Sequence, residues 1–130
     1  MYIIEKLIQL NIAVIDADKA KEFYVDYLGC KVSDDKNFGS KRWITLTLPG
    51  NNIKIILSTV DEGYMKPGTL KLYLSSPDVE ISLKELQKKG IKPVNEGNDW
   101  GSWGDPNKKG EKWFELTDPD GNHLLIVPLE

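Results

Sequence analysis

Apolar residues in this chain recur at two spacings, every second residue and every third or fourth, and the two spacings alternate along its length. The run IQLNIAVI, Ile8 to Ile15, has the period of a strand, with Ile8, Leu10, Ile12 and Val14 on one face. Leu7, Gln9, Asn11 and Ala13 fall on the other, and two amides there point to a wet cavity rather than a second dry core. Asp16 or Asp18 then caps a helix with the stripe Ala20, Phe23, Tyr24, Tyr27 and Leu28, stopped by Gly29. Short strands are predicted from Lys31 to Asp34, Arg42 to Leu48 and Ile53 to Thr59. The breakers between them are Asn37-Phe38-Gly39 and Pro49-Gly50-Asn51-Asn52.

Val60 to Gly68 has no periodicity and reads as a linker, after which the pattern restarts. Thr69 to Ser75 alternates as a strand, with Leu70, Leu72 and Leu74 opposite Thr69, Lys71 and Tyr73. Asp78 caps a second helix that buries Val79, Leu83 and Leu86 and ends at Gly90. Ile91 to Val94 is predicted as a strand and Asn95 to Gly110 as a long loop. Trp113 to Val127 forms a hairpin around DPDGN, where Asp120 can bond its own backbone and Gly121-Asn122 tolerate positive φ. Phe114, Leu116, Leu124 and Ile126 make its apolar face; Trp113, Glu115, Thr117, His123 and Leu125 make the other. The order is therefore a repeat of a β-α-β-β-β module, about 1–60 and 68–130. Neither half closes a sheet alone, so the expectation is an α+β fold. The helices cover the outer faces of the two modules, and the inner faces line a shared cup.

Length and charge narrow the classes. A chain of 130 residues suits one domain that buries a core without staples. A net charge of -3 with no basic stripe argues against nucleic acid as a partner. The lone cysteine, Cys30, permits no intrachain disulfide, and just past a helix C-terminus it reads as inert. Glu5, Lys6, Gln9 and Asn11 interrupt the N-terminal apolar run. That argues against a signal peptide or a membrane span, and the expectation is a cytoplasmic protein.

The paired modules, the stretch DADKAKEFYVDYLG after the first strand and DPDGN near the end resemble the vicinal oxygen chelate superfamily. This group includes glyoxalase I, extradiol dioxygenases, fosfomycin-resistance enzymes and bleomycin-binding proteins. The resemblance spans nearly the whole chain. It implies a single glyoxalase-like domain over 1–130, a curved eight-stranded sheet forming the cup, and a homodimer. In metal-dependent relatives four inward strand positions, typically His and Glu, hold a divalent ion. By the resemblance these positions are Gln9, Ile56, Lys71 and Leu125 here. An amide, an ammonium and two alkyl groups do not make such a site, so no metal and no other cofactor is expected.

Other side chains carry the remaining candidates. Gln9, Asn11 and Lys71 either hydrogen-bond a ligand or satisfy one another and water. Glu115 either pairs with Lys71 or, with it, supplies acid–base chemistry or a cation anchor. Trp100 and Trp103, in NDWGSWGDPN, either contact a planar or cationic ligand or seal the cup or a dimer interface. Trp43, with Thr45 beside it, and Trp113 lie on strands and can face inward, as can Tyr73. Arg42 is expected at the surface unless it faces the cup and meets an anion. His123 is expected to be exposed or to cap the hairpin. The leading expectation is a metal-free protein of the bleomycin-resistance type, binding a small aromatic or cationic molecule. A lyase or dioxygenase-type enzyme, and a dimerisation scaffold without a ligand, are the alternatives.

Overall fold

Of the alternating IQLNIAVI run, the computed structural model places Gln9–Ala13 in a strand, β1, while Ile8 and Ile15 lie outside it, exposed. The structure describes residues 3–50, 52–59, 66–102 and 104–129, so most of the expected linker lies outside the described residues. Two units divide the chain, Met1–Pro67 and Gly68–Glu130.

In the first unit Asp16 is the helix cap. Its carboxylate accepts from the N–H groups of Asp18 and Lys19 at 3.0 and 3.1 Å, satisfying donors that the first turn leaves unpaired. Helix α1, Ala17–Glu22, then widens into a π-helical turn over Phe23–Tyr27. The widened turn lets Phe23 and Tyr24, neighbours in sequence, both enter the core, where their rings meet edge to face at 5.4 Å. Three strands follow: β2, Lys31–Phe38, β3, Lys41–Thr47, and β4, Lys54–Ser58.

β2 runs past the predicted end at Asp34. A bulge between Val32 and Asp34 shifts its alternation, and Asp35 is then tied to β3, so only Gly39, at φ 63°, breaks the chain. The sheet order is β1-β4-β3-β2, with β1 and β4 parallel. Ile12, Leu57 and Ile44 form one fully buried row across it, on the face that α1 covers.

The second unit repeats this plan with β5, Lys71–Ser76, helix α2, Val79–Lys88, β6, Asn95–Gly97, β7, Trp113–Thr117, and β8, His123–Pro128. The order is β5-β8-β7-β6, again mixed, with β5 and β8 parallel. Asp78 caps α2 through the Ile81 N–H, and α2 buries Val79, Leu83 and Leu86, packing on β7 and β8.

The predicted strand at Ile91 to Val94 does not form. The Ile91 N–H closes the helix end on the Leu86 carbonyl and Pro93 has no N–H to donate, so the ladder begins at Asn95. The DPDGN turn differs from expectation as well. Asp118, not Asp120, takes the turn's N–H groups, from Asp120 at 3.0 Å and Asn122 at 2.9 Å. Asn122 is an internal clamp, 1% exposed, and Gly121 alone carries the turn's positive φ. The clamp's Oδ1 accepts from the Leu70 N–H at 2.9 Å, and its Nδ2 donates to Asp118 Oδ2 at 2.8 Å, tying the hairpin to the start of β5.

Candidate functional site

Register decides what shares the open face of the second sheet, opposite α2. Asn95, Glu115, Leu125 and Tyr73 form one row across β6, β7, β8 and β5. Thr117, His123 and Lys71 form the next, and on the other side Trp113 stands opposite Gly97. Leu125 and Val127 are buried, and with Trp113 and Trp100 they make an apolar cluster. Tyr73 extends it, its ring centroid 6.0 Å from that of Trp100, which is 6.3 Å from that of Trp113. Both indoles are 8% exposed, whereas Tyr73 is 53% exposed and opens the cluster to solvent.

The loop carrying Trp100 is built to deliver that indole. Asp99 gathers its backbone: one carboxylate oxygen accepts from the Gly110 N–H at 2.9 Å and the other from the Ser102 hydroxyl at 2.5 Å. The Ser102 hydroxyl, and after it the Gly110 N–H, hold this carboxyl below the usual aspartate range. The Trp100 N–H reaches the Glu111 carbonyl at 2.8 Å and closes the loop on itself.

Glycine makes room for each ring. A Cβ on Gly104 would lie 2.2 Å from Trp100 Cε2, and one on Gly97 would lie 2.2 Å from Trp113 Nε1. Gly104 and Gly97 are therefore the seats of these two indoles. Trp103 lies outside the described residues.

The expected pair between Lys71 and Glu115 does not form. β8 stands between their strands and the two residues fall in different rows, so they are more than two strand spacings, about 9.5 Å, apart. His123 on the intervening strand takes the carboxylate instead, with Nδ1 2.5 Å from Glu115 Oε2. His123 is thus exposed at the surface of this face, as one of its two expected placements had it, and carries a partner that its sequence neighbours do not reveal. Lys71 turns its ammonium over the Tyr73 ring, 5.5 Å from the centroid.

On the first sheet the face away from α1 presents Asn11, Ile56 and Thr45 in one row, then Ala13, Ser58 and Trp43 in the next. Gln9 Nε2 donates to Asn11 Oδ1 at 2.8 Å. Arg42 sits neither on this face nor free at the surface. It lies with Asp35 on the α1 side and grips that carboxylate with two bonds, of 2.9 and 2.8 Å. A further guanidinium N–H goes to Asp18, and Lys21 adds a 2.9 Å contact to Asp35. Arg42, supported by Lys21, holds the Asp35 carboxyl far below the usual range, and the pairing raises the guanidinium further. This cluster staples α1 to β2 and β3. No sequence period signals it, because the bulge in β2 hides which face Asp35 takes.

The four family metal positions do not fit a divalent ion. Ile56 and Leu125 are buried alkyl groups, the Gln9 amide is engaged by Asn11, and Lys71 brings positive charge. A register shift does not help, since Asn11 faces Ile56 and Tyr73 faces Leu125. Among the described residues no three His, Cys, Asp or Glu side chains gather as a metal site. A separate hollow of about 560 Å³ lies by the start of α2, with Asp78, Glu80, Lys108, Glu111 and Lys112 in its wall. Its polar lining contrasts with the aromatic face.

Comparison with known proteins places these features in context. A sequence model of the Glyoxalase/Bleomycin resistance protein/Dioxygenase superfamily matches residues 6–126. YurT of Bacillus subtilis (strain 168), itself uncharacterized, is 28% identical over 133 residues, covering 94% of this chain and 98% of YurT. Among solved structures, TnmS3, an antibiotic-binding protein from Streptomyces sp. CB03234, superposes with a TM-score of 0.79. It is 28% identical, over 99% of this chain and 100% of TnmS3. A superfamily member from Sphaerobacter thermophilus DSM 20745 gives a TM-score of 0.75 at 25% identity, over 98% of this chain and 100% of that one.

Proposed function

Because the chain belongs to the Glyoxalase/Bleomycin resistance protein/Dioxygenase superfamily, we propose that it is a metal-free binding member of that group, holding a small aromatic molecule. The observation that carries this reading is the cluster of Trp100, Trp113 and Tyr73 on a floor of Leu125 and Val127. Rigid rings on an apolar floor offer a planar ligand large contact at little cost in ordering. Lys71 and the Glu115–His123 pair border the cluster and supply the few polar groups such a site needs for orientation. The likeness to an antibiotic-binding protein supports the same class of ligand. The donor chemistry at Gln9, Ile56, Lys71 and Leu125 supports the absence of a metal. The protein is further proposed to act in the cytoplasm as a homodimer, with Gln9, Asn11 and Trp43 as secondary contacts.

The test is titration of the protein with quinoline, N-methylquinolinium and 2-naphthoate, read by tryptophan emission and by calorimetry. Saturable binding of at least one probe is expected, together with less than stoichiometric metal in protein purified without chelators. No saturable binding by any probe refutes the aromatic-ligand reading, and stoichiometric metal that raises the melting temperature refutes the metal-free one. Sedimentation checks the dimer.

One observation favours a second reading. With Nδ1 of His123 held by Glu115, the imidazole has the orientation of a general base, its other nitrogen left for a substrate. A metal-free enzyme using this pair, with Lys71 beside it, predicts turnover that Glu115→Gln abolishes while binding persists.

A further inference from the structure

We propose that the Trp100 indole occupies the ligand slot itself, as a resident stand-in, and that the ligand displacing it is a flat bicyclic aromatic acid. This rests on the aromatic-ligand reading above, changes Trp100 from a wall of that site to its occupant, and goes on to name the ligand's size and charge. The Trp100 ring has two aromatic neighbours, Tyr73 at 6.0 Å and 48° and Trp113 at 6.3 Å and 58°. Leu125 and Val127 lie in the same cluster as floor. Two aromatic rings and two aliphatic side chains gathered about one bicyclic ring are the kind of lining that a bicyclic ligand takes.

The way Trp100 is held fits a removable occupant. Its three-residue turn, Trp100–Ser102, is fastened to the far arm of its own loop, through the Trp100 N–H to the Glu111 carbonyl and through Asp99 to Gly110. The indole is the part that reaches across to the strand residues Tyr73, Trp113, Leu125 and Val127. Withdrawing it exposes a slot of its own dimensions without breaking the sheet ladder.

Charge at the mouth selects among bicyclic ligands. Tyr73 is the exposed wall, and the Lys71 ammonium stands over its ring, 5.5 Å from the centroid. A carboxylate on the ligand meets that ammonium, whereas a cationic ring meets repulsion from it. Glu115, the acid bordering the face, has one carboxylate oxygen engaged by His123 Nδ1.

A resident competitor lowers apparent affinity by the fraction of time that it leaves the slot empty. Trp100→Ala is therefore expected to bind 2-naphthoate at least about tenfold more tightly than the wild type by calorimetry. Asp99→Ala keeps every slot residue and loosens only the turn, and it too is expected to bind more tightly. Both are expected to prefer 2-naphthoate to N-methylquinolinium. Unchanged or weaker naphthoate binding in Asp99→Ala, or in a folded Trp100→Ala, makes Trp100 a wall of the site and overturns the proposal. A preference for the cation overturns the charge assignment. If neither the wild type nor the variants bind any of the three probes, the aromatic-ligand reading fails along with this one. Wild-type binding that the variants lose defeats only the stand-in.

Discussion

Replacing Asn122 with alanine tests the internal clamp beneath the site. The substitution removes an acceptor from the Leu70 N–H and a donor from the Asp118 carboxylate, both in a place where the side chain is 1% exposed. Leaving a buried group without its partner costs about 1 to 3 kcal/mol. Leu70 is partly exposed and its N–H regains some water, which puts that loss near the lower end, about 1 kcal/mol. Asp118 is buried and charged, which puts the second near about 2 kcal/mol. The sum is about 3 kcal/mol, or a fall in melting temperature of roughly 10 °C for a chain of this length.

Urea denaturation followed by fluorescence is expected to show the midpoint falling with an unchanged slope. Asn122→Asp sharpens the test. It keeps the acceptor for Leu70 but sets a second carboxylate against Asp118, so it is expected to destabilise at least as much as the alanine variant. A loss below about 1 kcal/mol in the alanine variant, or an aspartate variant as stable as the wild type, refutes the assignment.

Other perturbations test the remaining interactions. The Asp35 carboxyl is depressed by Arg42 and then Lys21, so its contribution is present above the ordinary carboxyl range and is lost as the pH falls towards its folded value. The advantage of wild type over Asp35→Asn should therefore hold above about pH 4 and shrink below it, and a difference constant down to about pH 2 would contradict the pairing. Burial pushes the Cys30 thiol up to about 11, so at pH 8 its reaction with an aromatic disulfide reagent should track unfolding. Immediate stoichiometric labelling of native protein would count against that. In Gly97→Ala the added Cβ strikes the Trp113 indole, and the expected result is red-shifted emission with a loss of about 1 to 3 kcal/mol. Unchanged emission would mean that Gly97 is not the seat of that ring.

The parts of the fold that the sequence made legible are those governed by a single period. Alternation in β5, β7 and β8, and the stripe of α2, assign residues to faces correctly because nothing interrupts the count. The count fails where one residue is added. The bulge after Val32 carries β2 on to Phe38 and turns Asp35 towards α1, and the π turn admits two adjacent aromatics to one core. At the site, the strand residues were legible by the same alternation, and Trp100 by its cost if left exposed. The partners were not. Whether Glu115 meets Lys71 or His123 depends on strand order, with β8 between β5 and β7, and order is a long-range property that no local period encodes.

Comparing the two ladders position by position shows which requirements are architectural. Trp43 stands in the first sheet where Trp113 stands in the second, and the Arg42–Asp35 contact recurs as Lys112 to Glu96 at 3.1 Å. On the helix-covered side, then, the two units share this one strand-to-strand ion pair, as expected of groups that staple strands together. On the open face the same comparison sets Thr45 against Glu115, Asn11 against Tyr73 and Gln9 against Lys71. The first unit joins β2 to β3 through a tight turn at Gly39, whereas the second inserts the Trp100 loop between β6 and β7. Substitutions that add charge and aromatic surface to one copy of a repeat, at positions where the other copy keeps neutral side chains, do not serve the shared scaffold. They are the ground for assigning the proposed slot to that face of the second sheet and not to its counterpart around Trp43.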